Sequence, residues 1–192
     1  LCCPDMRGLL AKVAGTLAAL EVNILGARLE TRQDGMAVDV LWISTPRGNV
    51  ISDPAQLRRI GTTVAGVLKG TLKFEELTAR IRTEPLGPAL KRPQLSLNNE
   101  ISENCTVLEV LAPDRLGLVY SIARCLTSLG LNIAFAKIAT EKTMAFDVFY
   151  LTDSEGGKLP QDRWETVLSN LGQALEFPLA ASPLPSASAA RR

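Results

Sequence analysis

PDMRGLLAKVAGTLAALEVNI (residues 4–24) and PDRLGLVYSIARCLTSLGLNI (residues 113–133) decide the fold, because they are one segment written twice. Sliding the chain by 113 − 4 = 109 positions lays Pro4, Asp5, Gly8 and Leu9 on Pro113, Asp114, Gly117 and Leu118. The match continues through Ala14, Leu17, Leu20, Asn23, Ile24, Ala27 and Thr31, which fall on Ala123, Leu126, Leu129, Asn132, Ile133, Ala136 and Thr140. After a one-residue gap, Met36, Ala37, Asp39 and Val40 fall on Met144, Ala145, Asp147 and Val148. The gap lies in RQDG against EKT, where a hairpin turn tolerates it. Self-similarity over such a span makes the chain a tandem duplication.

Each copy has a legible order of elements. Leu9, Leu10, Val13, Leu17 and Leu20 recur at the helical period and form one apolar stripe. NILGARLETR (23–32) reads as a strand, QDG (33–35) as a turn and MAVDVLWIS (36–44) as the partner strand. DPAQLRRIGTTVAGVLKG (53–70) is a second helix, with Pro54 in its first turn and a stripe of Leu57, Ile60, Val64, Val67 and Leu68. The second copy begins with a strand, TVLEVLAP, and a helix carrying Leu118, Val119, Ile122, Leu126 and Leu129. The strands NIAFAKIAT and MAFDVFYLTD follow, then a helix carrying Trp164, Val167, Leu168, Leu171 and Leu175. Strand–helix–strand–strand–helix closed by another strand is the ferredoxin-like plan: an α+β fold of two βαββαβ domains, each an antiparallel sheet with helices on one face.

The expected boundaries are 1–82 for the first repeat, with its first strand truncated, 83–104 for a linker, 105–180 for the second repeat and 181–192 for a disordered tail. EELTARIRTE (75–84) continues the first repeat as a charged helical turn or two, with Glu76 and Arg80 spaced for an i,i+4 pair. PLGPALKRP (85–93) is punctuated by proline and glycine, and QLSLNNEISENC (94–105) offers a short strand to either repeat's sheet.

Composition narrows the function classes. Of 192 residues 46% are apolar, ample for buried cores, and the net charge of +1 makes no electrostatic case for nucleic acid or an anionic membrane. The strands lack the basic-aromatic pattern of an RNA-binding sheet. No apolar run is long enough to span a bilayer, so the expected location is cytoplasmic. The four cysteines show no CxxC spacing and histidine is absent, so no metal or other cofactor is expected and the commonest general base is missing. Reduced cysteines acting as small apolar residues fit that picture.

The doubled phrase supplies the candidate site. Asp5 and Asp114 stand before helices, where a carboxylate caps the backbone N–H of Gly8 or Gly117, and helix N-termini suit a carboxylate ligand. Asn23 and Asn132 stand where each helix hands over to its next strand, with a carboxamide that both donates and accepts. The intervening helix of ~14 residues separates the two ends by on the order of 20 Å, so one repeat cannot grip a small molecule with both. Pseudo-two-fold pairing brings the loop of one repeat to the asparagine of the other. The expected ligand-binding sets are Asp5, Gly8 and Leu9 with Asn132, and Asp114, Gly117 and Leu118 with Asn23; no catalytic or metal-binding residue is expected.

These loop–helix–strand segments resemble the core of ACT domains, small regulatory modules that bind amino acids. DGMAVDVLWIS, MAFDVFYLTD, LKRP and NNEISENCTVLEV are similar to the carboxy-terminal ACT pair of the uridylyltransferase/uridylyl-removing enzyme family. The resemblance implies a non-catalytic regulatory piece that senses glutamine and controls nitrogen-dependent uridylylation. Its implied partners are glutamine, the catalytic domains of a parent enzyme, indirectly the PII protein, and a second copy in an ACT-mediated dimer. A stand-alone tandem-ACT amino-acid-binding or assembly protein is the alternative. The family phrase runs Asp-x-Pro-Gly; Arg7 and Leu116 occupy the proline position here, and Glu21 stands where the second copy has Gly130.

Overall fold

The computed structural model describes residues 1–79, 81 and 92–176. The first repeat runs β1 (Cys2–Pro4), α1 (Leu9–Ala19), β2 (Asn23–Thr31), β3 (Met36–Ser44), α2 (Pro54–Leu68) and α3 (Phe74–Thr78). After the short strand β4 (Gln94–Asn98), the second repeat runs β5 (Thr106–Pro113), α4 (Leu118–Ser128), β6 (Asn132–Glu141), β7 (Met144–Thr152) and α5 (Trp164–Glu176).

The two expected sheets are joined. β2 pairs with β6 antiparallel, Arg28 opposite Lys137, so the repeats share one seven-stranded sheet of order β1-β3-β2-β6-β7-β5-β4. The pairing of equivalent strands creates the pseudo-dyad, and α1 packs on α4 across it. The choice left open for QLSLNNEISENC resolves toward the second repeat: β4 pairs with β5, Leu97 opposite Leu108. Thus the strand that follows the first repeat's helices completes the sheet of the second. The Arg80 partner proposed for Glu76, most of the proline-punctuated linker and the tail lie outside the described residues; Glu76 pairs with Lys73 at 2.7 Å.

Alternation sets which face is buried. Along β7, Ala145, Asp147, Phe149 and Leu151 face the helices and are buried, while Phe146 on the opposite face is exposed. Val38, Val40 and Trp42 stand out in the same way from β3. The helical stripes behave as their period requires, with Leu126, Leu171 and Leu175 inaccessible to solvent. Leu57 is the exception, because it lies on the exposed side of α2. The α2 start is capped as the sequence suggests: the Asp53 side chain accepts the Ala55 N–H at 2.9 Å ahead of Pro54.

Gly15 is where α1 can pass close to its neighbours. A Cβ there would lie 2.8 Å from both the Phe74 and the Tyr120 ring, which meet edge to face with centroids 6.0 Å apart. Gly15→Leu is therefore expected to destabilise the fold by at least the ~1–3 kcal/mol typical of overpacking, outweighing the helix-propensity gain of ~1 kcal/mol. A lowered urea midpoint with unchanged slope is the expected reading.

Candidate functional site

The doubled phrase does not cap its helices as expected. Gly8 and Gly117 are themselves the N-caps, in left-handed conformation at φ 73° and 78°, and no side chain caps either helix. A left-handed turn at that point costs glycine little and turns the preceding residues away from the helix axis. Asp5 is thereby freed to accept a hydrogen bond from the Thr31 hydroxyl at 3.0 Å. Asp114 accepts one from the Asn23 carboxamide at 3.2 Å. At the other end of each helix, Gly130 adopts φ 81°, and Glu21 at the equivalent place is held at φ 57°. A side chain in that conformation costs about 1–2 kcal/mol, so the first repeat's handover is strained where the second's is relaxed.

Asn23 and Asn132 each open the strand after the helix. A register shift follows each, between Ile24 and Gly26 and between Ile133 and Phe135. Such a bulge twists the strand locally and re-aims its first side chain.

The pseudo-dyad brings the predicted halves together across the repeats. A cavity of about 590 Å³ is bordered by Asp5, Gly8 and Leu9 from the first repeat and by Asn132 from the second. Arg7 also borders it, its guanidinium donating to the Thr127 carbonyl at 3.4 Å near the end of α4. The Asn132 carboxamide donates to the Asp153 carbonyl at 3.3 Å. Leu10 and Ala11, in the first turn of α1, complete the wall on that side; helix geometry leaves first-turn N–H groups without intrahelical acceptors. The sister arrangement gathers Asn23, Asp114, Gly117 and Leu118 around a space of only about 10 Å³.

Two further acidic groups escaped the sequence reading. Asp39 borders the large cavity and is 6% exposed. Burial pushes its carboxyl above the usual range, and Asp5 adds to the rise. Asp147, its counterpart in the duplication, is 1% exposed with both carboxylate oxygens lacking a hydrogen-bond partner. Burial pushes it up to about 7; the Ala139 N–H draws it down without reaching hydrogen-bond geometry, and nearby Asp114 raises it. The signal was present: an aspartate repeated at an inward position of an otherwise alternating apolar strand. Burial also raises Asp114, opposed first by the Asn23 hydrogen bond.

The large cavity therefore presents carboxylates from Asp5, Asp39 and Glu30, one guanidinium from Arg7, and neutral hydrogen-bonding groups from Asn132, Thr31 and Thr127. Such a set can hold a zwitterion with a neutral polar tail. Among the described residues, no group of three or more histidine, cysteine or acidic side chains is placed to hold a metal ion. All four cysteines are unpaired, and burial raises the Cys125 thiol to about 11, far from a reactive thiolate. No helix among the described residues is long and apolar enough to cross a membrane.

A helix-covered antiparallel sheet built from two such repeats, with clefts between them, defines a class. Residues 1–61 match the family model for the ACT domain, and residues 94–182 match that for the ACR9-like, ACT-like domain. The chain thus carries two ACT-type domains. It is 37% identical over 157 residues to the bifunctional uridylyltransferase/uridylyl-removing enzyme of Bradyrhizobium diazoefficiens, covering 81% of this chain and 17% of that one. Identity to the enzyme of the same description from Rhodospirillum rubrum is 33% over 177 residues, covering 90% and 18%. For Gluconobacter oxydans it is 32% over 186 residues, covering 95% and 19%. The chain spans less than a fifth of the length of these relatives and corresponds to their C-terminal region, which supports a regulatory role.

Proposed function

We propose that this ACT pair is an amino-acid sensor, with glutamine as its ligand, that governs a uridylyltransferase/uridylyl-removing enzyme. The observation that carries the reading is the shared ownership of the large cavity. Its walls come from the loop of one repeat and the asparagine of the other. Occupancy is then linked to how the repeats pack, and a ligand that prefers one packing shifts the population toward it. The catalytic domains of the parent enzyme are the partners that read the packing, and the PII protein feels it only through them.

The chemistry of the walls favours glutamine over charged amino acids. The carboxylates of Asp5 and Asp39 suit the ligand's ammonium group. Its carboxylate is served by the Arg7 guanidinium and the first-turn amides of α1. The neutral groups Asn132, Thr31 and Thr127 then match a carboxamide tail, which both donates and accepts. Isothermal titration of the chain with glutamine, glutamate and lysine tests this. Heat with glutamine and much weaker heat with the other two is expected; no heat with any amino acid contradicts the reading.

A further inference from the structure

The two interfacial sites are copies in sequence and opposites in state, one holding about 590 Å³ and the other about 10 Å³. The duplication's own register, an offset of 109, identifies what differs. Met6 of the open site corresponds to Arg115 (6 + 109 = 115), and Ala11 corresponds to Tyr120 (11 + 109 = 120). Both larger residues border what remains of the closed site.

The polar groups there are engaged with each other. Asn23 donates to Asp114 at 3.2 Å, whereas in the open site Asn132 turns to the Asp153 carbonyl and Asp5 to the Thr31 hydroxyl. The terminal guanidinium nitrogens of Arg115 are buried without a hydrogen-bond partner. Burial lowers the Arg115 pKa, which reports the penalty of holding that charge away from water. An unpaired guanidinium does not settle in such a place for its polar contacts; with Tyr120 it fills the space bordered by Ala14 and Ala18 of α1 and by Asn23 and Ile24 of β2. Asp147, the counterpart of the Asp39 that borders the open cavity, is sealed in nearby.

We infer that the second site is a latent amino-acid site kept shut by the chain's own Arg115, with Tyr120 as its backing. The inference rests on the proposed amino-acid reading and adds to it the residue that makes the duplicated sites unequal. Arg115 takes up the space that a ligand occupies in the sister cleft. Its replacement by the methionine of the first repeat, together with Tyr120→Ala, removes both bulky groups while keeping Asp114, Gly117 and Asn23.

Titration with glutamine, read as the number bound per chain, tests it. The unmodified chain is expected to bind one glutamine, roughly ten- to a hundred-fold more weakly in Asn132→Ala and nearly unchanged in Asn23→Ala. Arg115→Met/Tyr120→Ala is expected to bind two, the second lost again when Asn23→Ala is added. Two glutamines bound by the unmodified chain, or one that disappears with Asn23→Ala and persists in Asn132→Ala, overturns the inference and leaves the sensor reading standing. One glutamine bound by a folded double variant, checked by circular dichroism, also overturns it. Absence of binding by any amino acid overturns both. The single-asparagine variants of the unmodified chain decide the matter even if the double variant does not fold.

Discussion

Raising the pH from 5 to 8 is expected to weaken the fold, and Asp147→Asn to remove most of that dependence. Asp147 is pushed from 3.8 up to about 7 because its carboxylate is buried on the helix-covered face of the sheet without a donor in bonding geometry. In the unfolded chain the group loses its proton near pH 4; in the folded protein it holds it to about 7. Between those values the folded state binds more protons than the unfolded one, so stability falls as pH rises. Stability is fully present below the unfolded value and is lost as pH passes through the folded one. At ~1.4 kcal/mol per unit the whole window is worth up to about 4 kcal/mol, and the span above pH 5 about 3 kcal/mol. Asp114 and Asp39 are raised as well and act with the same sign. Asparagine is the isostere of the protonated acid, so Asp147→Asn should match the unmodified chain near pH 5 and exceed its stability at pH 8. Urea unfolding at both pH values measures this; equal pH slopes for the two proteins would contradict it.

Asn132→Ala is expected to weaken glutamine binding roughly ten- to a hundred-fold, while Asn23→Ala leaves binding nearly unchanged and lowers stability. The contrast follows from what each carboxamide faces. Asn132 borders the large cavity, and its amide makes a single hydrogen bond, at 3.3 Å, to a carbonyl. Its loss leaves the ligand's enclosed carboxamide tail without a partner, at about 1–3 kcal/mol, and each 1.4 kcal/mol is a factor of ten in affinity. Asn23 is spent on Asp114, part-buried, in the closed sister site. Removing it strips a raised carboxylate of a donor, at a cost of about 1–3 kcal/mol. Binding by calorimetry and stability by urea titration, measured on the same two variants, separate the effects.

How much of this was legible beforehand depends on range. The apolar stripes of the helices and the strand alternation are local patterns, and they placed the elements directly. The interfacial pairing of Asp5 with Asn132 also followed, from helix length and the symmetry of a duplication. The partner of β4 did not, because five residues with two inward leucines fit either sheet edge, and tertiary pairing alone chose β5. Capping was misjudged for a stereochemical reason. An aspartate ahead of a helix reads as a cap, but left-handed Gly8 and Gly117 take the cap position themselves, and the aspartates bond elsewhere, Asp5 to Thr31 and Asp114 to Asn23. The inequality of the two sites was invisible as well, since Arg115 reads as an ordinary surface cation until its guanidinium is found buried.

The central claim, that the open cleft shared by Asp5–Ala11 and Asn132 is the ligand site, is tested most directly by hydrogen exchange with and without glutamine. Slowed exchange in residues 5–11 and in 131–134 together is expected, because both segments border that cavity. Slowed exchange confined to residues 114–120 and 22–24, around the closed site, would contradict the account, as would no change anywhere.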